Sequence, residues 1–87
     1  VRHRSDNNQS EIVKALEKIG CTVYKMGRPV DLLVGYRARN FLLECKNPKG
    51  LNKLTPFQEK FIPKWRGQIR IVRSVDEALA VVTKSYI

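Results

Sequence analysis

The chain has 87 residues, 43% of them hydrophobic, which suits one small domain and is too apolar for a disordered segment. Its 17 Lys and Arg against 8 Asp and Glu leave a net charge of +9, which favours a polyanionic partner and excludes little else. No apolar run approaches the ~20 residues that cross a bilayer, no signal-peptide pattern opens the chain, and no segment joins a basic face to a broad apolar one. A membrane partner is therefore not expected. Cys21 and Cys45, with the lone His3, make neither a disulfide framework nor a zinc set. Both read as reduced, buried small hydrophobes of a cytoplasmic protein.

Val1 to Asn7 is polar and basic and reads as a loose arm. Asp6 or Asn7 can cap a helix from about Asn8 to Ile19, closed by Gly20. Ile12, Ala15, Leu16 and Ile19 fall on one face, with Val13 beside them. Glu11 lies about 100° from Ile12, on the flank of that stripe, and by position alone it reads as a solvated helix carboxylate. Thr22 to Met26 reads as a first strand, broken by Gly27-Arg28-Pro29. Val30 to Val34 is a second and Phe41 to Lys46 a third, joined by the basic turn Gly35 to Asn40 into an antiparallel hairpin. Asn47-Pro48-Lys49-Gly50 then ends the strand and opens a basic loop through Lys53.

Thr55-Pro56-Phe57-Gln58 is a helix start, with a capping Thr, Pro at the first position and Gln at the third. Phe57, Phe61 and Trp65 recur at four-residue spacing on this helix, which Pro63 should kink or shorten. Gly67 leads into a half-buried strand, Gln68 to Arg73. Ser74-Val75-Asp76-Glu77 is a second capping box, opening a short last helix with Ala78, Leu79 and Val82 inward. The predicted order is αβββαβα, a single α/β domain.

Chemistry concentrates on the third strand. Side chains alternate there, so Phe41, Leu43 and Cys45 can feed a core while Glu44 and Lys46 share the other face. Opposite charges so placed are either an internal salt bridge at a strand end or part of a site. A second acid, Asp31, lies near the end of the neighbouring strand, and antiparallel pairing would bring it to the end where Glu44 stands. Two hard oxygen donors suit Mg²⁺ or Mn²⁺, and Lys46 would set a positive charge beside an attacking water. These are groups for metal-assisted phosphodiester hydrolysis. Arg28, Arg37, Arg39, Lys49, Lys53 and Lys60 are the candidate phosphate contacts, most of them on loops expected near the metal end. No base-reading helix is evident, so DNA would be recognised by shape and backbone.

Gly27-Arg28-Pro29-Val30-Asp31 followed by Glu44-Cys45-Lys46 resembles the PD-(D/E)XK nuclease signature. The early helix with Glu11, Thr55-Pro56-x-Gln58, the Gly67-initiated strand and Arg73-Ser74-Val75-Asp76-Glu77 are similar to its VRR-NUC branch, from about Asn8 to Val82. The resemblance implies a restriction-endonuclease-like core, αβββαβ plus a short C-terminal helix around a mixed sheet. It implies a homodimer, as in stand-alone phage-type members, that cuts branched or Holliday-junction-like DNA with Mg²⁺ or Mn²⁺ in a bacterial or phage-infected cell. Asp31 and Glu44 would then bind the metal with the main-chain carbonyl of Cys45, and Lys46 would position or activate the water. Glu11 would hold a metal-bound water or a second ion. Gln58 would reach towards the site, although it serves equally as the partner of Thr55 in a capping box. One departure is Val30, which stands between Pro29 and the acid and makes the placement of Asp31 depend on the preceding turn. Two other readings remain: a non-catalytic basic nucleic-acid-binding module, and a subunit in which Glu44 and Lys46 merely pair.

Overall fold

The computed structural model describes residues 4–48 and 53–84. Three helices and four strands follow one another as α1 (Arg4–Lys18), β1 (Thr22–Lys25), β2 (Leu32–Tyr36), β3 (Arg39–Cys45), α2 (Pro56–Lys64), β4 (Ile69–Val72) and α3 (Val75–Thr83). The order is the one read from the sequence. The sheet runs β1-β2-β3-β4, with β1, β2 and β3 antiparallel in succession and β4 parallel to β3. It is therefore mixed, and α2 is the crossover that a parallel neighbour requires.

Strand alternation sorts the apolar residues onto two faces. On one, Leu32, Val34, Phe41, Leu43, Cys45 and Val72 pack against Ile12, Val13 and Leu16 of α1 and Ala78 and Val82 of α3. On the other, Leu42 and Ile69 join Val30 in a smaller cluster, with Phe61 and Ile62 of α2 and Met26 against it. The first face holds the main core. The second is only partly covered: Leu33 remains 40% exposed.

Several boundaries differ from expectation. The helix starts at Arg4 rather than near Asn8, so residues 4–7 of the expected arm are helical and residues 1–3 lie outside the described chain. Ile19, expected inward, is 37% exposed because the helix ends at Lys18. That end is a Schellman closure: Gly20 has φ +105°, and the Cys21 N–H reaches back to the Leu16 carbonyl (3.0 Å). β2 is shifted two residues onward, and the hairpin turn contracts to Arg37-Ala38, with φ +52° and +64°. A two-residue turn with both centres left-handed matches the twist of its strands. Arg37 and Ala38 carry none of the Asn or Gly that usually announces it.

The α2 start forms as read. Thr55 Oγ1 accepts from the Gln58 N–H (3.1 Å), and Gln58 Oε1 accepts from the Thr55 N–H (3.2 Å). The helix ends at Lys64, one residue past Pro63. At α3 the box is modified: Ser74 Oγ accepts from the Glu77 N–H, but Glu77 Oε1 reaches past Ser74 to the Arg73 N–H at 2.7 Å.

Candidate active site

The hairpin register fixes the two acids. Leu32 pairs with Leu43, so one step outward sets Asp31 against Glu44. The strand pattern is not simply continued there. Asp31 Oδ2 accepts from the Cys45 N–H (2.8 Å), and Glu44 Oε1 accepts from the Asp31 N–H (3.2 Å). Each carboxylate thus takes a backbone donor of the other strand, and this exchange holds both acids at the end of the hairpin. The turn before Asp31 contains a cis Arg28–Pro29 bond. Val30 after it packs with Leu42 and Ile69, while the Asp31 carboxylate meets the end of β3.

Lys46 Nζ lies 3.3 Å from Glu44 Oε2 and donates to the Lys53 carbonyl at 2.8 Å. Glu44 is 5% exposed, so its charge is offset chiefly by this ammonium and the Asp31 N–H. Asp31 is held above its ordinary carboxyl range. Burial is the main cause; the Cys45 N–H opposes it, the Glu44 charge adds to it, and Lys46 counters in turn. The Cys45 thiol points into the main core and is pushed up to about 12 by burial and then by the charges of Asp31 and Glu44. It is a poor nucleophile there. In a strand one residue's N–H and C=O face the same side, so the Cys45 carbonyl lies on the Asp31 side.

Gln58, 6% exposed, serves as the capping-box partner of Thr55 and makes one further contact. Its Oε1 completes the capping box, while its Nε2 donates to the Pro29 carbonyl at 3.1 Å. It thereby ties α2 to the turn that carries Asp31. Glu11 is exposed on α1, which covers the opposite face of the sheet. Asn8, one turn earlier, donates to the Arg73 carbonyl (3.2 Å) beyond β4. Glu11 is thus at the acid end of the sheet without joining the pair. Among the described residues no three Asp, Glu, His or Cys side chains converge.

The basic residues divide. Arg28, on the turn before Asp31, holds its guanidinium 4.3 Å from the Phe57 ring centre. Phe57, Phe61 and Trp65 stack onward at 5.5 Å intervals, a column the four-residue spacing announced. Lys53 and Lys60 are exposed, and Lys49 lies outside the described residues. Arg37 and Arg39 are at the hairpin tip, the far end from Asp31 and Glu44, and so are not among the basic residues near the acid end. Arg37 lies over Tyr36, while Arg39 donates to the carbonyls of Val82 and Lys84 at the end of α3, both at 2.8 Å. No sequence signal had assigned Arg39 that capping role, because the two ends meet only in the fold.

Comparison with protein-family models, curated proteins and solved structures finds no match. Among the described residues no helix is long and apolar enough to cross a membrane.

Proposed function

We propose that the chain is a divalent-metal-dependent DNA endonuclease of the VRR-NUC type, with a restriction-endonuclease-like core and a preference for branched or Holliday-junction-like substrates. The observation that carries this reading is the facing pair Asp31 and Glu44 with Lys46 beside it. The donor types suit Mg²⁺ or Mn²⁺: two carboxylates and the Cys45 carbonyl offer hard oxygens at one strand end. Such an ion supplies Lewis acidity towards a phosphoryl oxygen and makes water a better nucleophile near neutral pH. The chain's own groups do the rest. Asp31 and Glu44 hold the negative charge that attracts the ion, and Lys46 meets the charge that develops on the transferring phosphoryl group. Gln58 positions the turn bearing Asp31. Glu11 would act from α1 through water. Arg28, Lys53 and Lys60, with Lys49, would contact phosphates on the acid side.

A homodimer belongs to this reading. It is supported by the apolar groove of about 960 Å³ between α2 and the hairpin, lined by Leu33, Phe61 and Trp65 among others. The contact between Glu44 and Lys46 favours a second reading, a structural ion pair in a non-catalytic nucleic-acid-binding module. One experiment separates them: cleavage of linear, flap and four-way DNA with Mg²⁺ or Mn²⁺, using wild type and Glu44→Ala. Metal-dependent cleavage, strongest on the four-way substrate and lost in Glu44→Ala, is expected. A wild type inactive with both ions, or an active Glu44→Ala, would overturn the nuclease reading.

A further inference from the structure

The hairpin end of the sheet carries a second cluster that the acid end does not use. Arg39 of β3, Arg70 of β4 and Lys84 after α3 line a cavity of about 160 Å³ with Gln68, Ala80 and Val81, and no carboxylate is among these lining residues. The side chains are held by backbone carbonyls instead. Arg39 uses two N–H groups on Val82 and Lys84, leaving three of its five. Arg70 Nη1 donates to the Ile69 carbonyl (2.8 Å) and Gln68 Nε2 to the Asn40 carbonyl (3.2 Å). Three cations from three elements thus stand together, and the two arginines among them are oriented by neutral backbone acceptors. Their mutual repulsion is relieved by an anion, and a phosphate oxygen matches the donors that remain.

We propose that this cavity is a phosphate-binding site for a second arm of a branched DNA, a proposal that rests on the DNA reading above. Geometry picks the second arm. Six strand steps separate Arg39 from Cys45, about 20 Å at ~3.3 Å each. The cluster also opens on the opposite side of the sheet from the acids: Arg70 pairs with Leu43, on the α3 side, whereas Glu44 faces α2. A straight duplex seated on the acids would have to turn the sheet edge to reach it. An arm diverging from a junction does not.

The test measures binding without metal, of a four-way junction and of a linear duplex, across a salt series. Arg70 and Lys84 are both exposed, so Arg70→Gln/Lys84→Gln should fold, which a thermal melt checks. The expected result is that the slope of log affinity against log salt for the junction falls by about 2, at ~0.9 for each phosphate no longer neutralised. The linear duplex should be little affected, and Arg70→Lys should keep most of the junction slope. An unchanged junction slope would overturn the site. Equal reductions on both DNAs would overturn the second-arm assignment. A wild type that binds neither DNA would instead overturn the DNA reading itself, and absence of cleavage bears on neither arm of the measurement.

Discussion

At the residue scale, the acid end stores an electrostatic cost that a merely structural pair does not need. Asp31 is half-buried beside a second carboxylate, and its pKa is raised above 3.8 mainly by burial. A carboxyl that holds its proton more firmly when folded loses stability as pH rises from its unfolded value through its folded one. The metal-free protein should therefore weaken over a window starting near pH 3.8 and extending upward. Asp31→Asn should flatten that loss and raise the melting temperature at neutral pH without metal. Mg²⁺ or Mn²⁺ should raise it in wild type and not in Asp31→Asn. Melting curves over pH check both, and a less stable Asp31→Asn at neutral pH would contradict the cost. Lys46 makes the complementary case. Lys46→Ala should keep DNA and metal binding while cutting the cleavage rate by about 10²–10³, the size expected for lost charge stabilisation in a transition state. A purely structural pair would instead lose about 3–5 kcal/mol on breaking. Single-turnover cleavage together with a melt of Lys46→Ala distinguishes the two, and full activity would remove Lys46 from the mechanism.

At the element scale, legibility tracked how local the cause was. Thr55-Pro56-x-Gln58 announced α2 because each capping partner lies within three residues, and Gly20 announced the end of α1 for the same reason. The opposition of Asp31 and Glu44 was legible once a hairpin was assumed. What stayed hidden depends on distant partners: Arg39 on the α3 carbonyls, and Gln58 on Pro29. The turn was hidden differently, since Arg37 and Ala38 adopt left-handed backbone without the residues that favour it. Its strain makes a prediction. Ala38→Gly should stabilise the hairpin by about 1 kcal/mol, because a Cβ at positive φ costs ~1–2 kcal/mol and glycine's extra unfolded entropy offsets part of the gain. Gly67→Ala should do the reverse. Its Cβ would stand 2.8 Å from Trp65 Nε1, so the indole must shift against Phe61. Opposite shifts in melting temperature, with a changed Trp emission only in Gly67→Ala, are expected. A destabilised Ala38→Gly would refute the turn strain, and a stabilised Gly67→Ala would show that the Trp65 packing is not limiting.

At the scale of the whole molecule, the sheet is an unequal sandwich. α1 and α3 cover one face along its length, whereas α2 leaves Leu33 (40% exposed) and the edge of Trp65 (43% exposed) open on the other. Small domains have little core to spare, and an open apolar groove beside a partly filled face is a place where a second copy gains the most. A two-fold dimer through this face would cover Leu33, Phe61 and Trp65 of both copies and give two acid sites for paired cuts across a junction. Light scattering without DNA at micromolar concentration should therefore give twice the mass of one chain. Leu33→Glu should reduce it to one chain while the melt stays cooperative, since Leu33 is outside both buried clusters. It should also turn paired cleavage of a four-way junction into single nicks, because each protomer keeps its own Asp31, Glu44 and Lys46. A monomeric wild type would refute the dimer outright. A Leu33→Glu variant that remains dimeric would move the interface off this face, to a surface where α2 has no part.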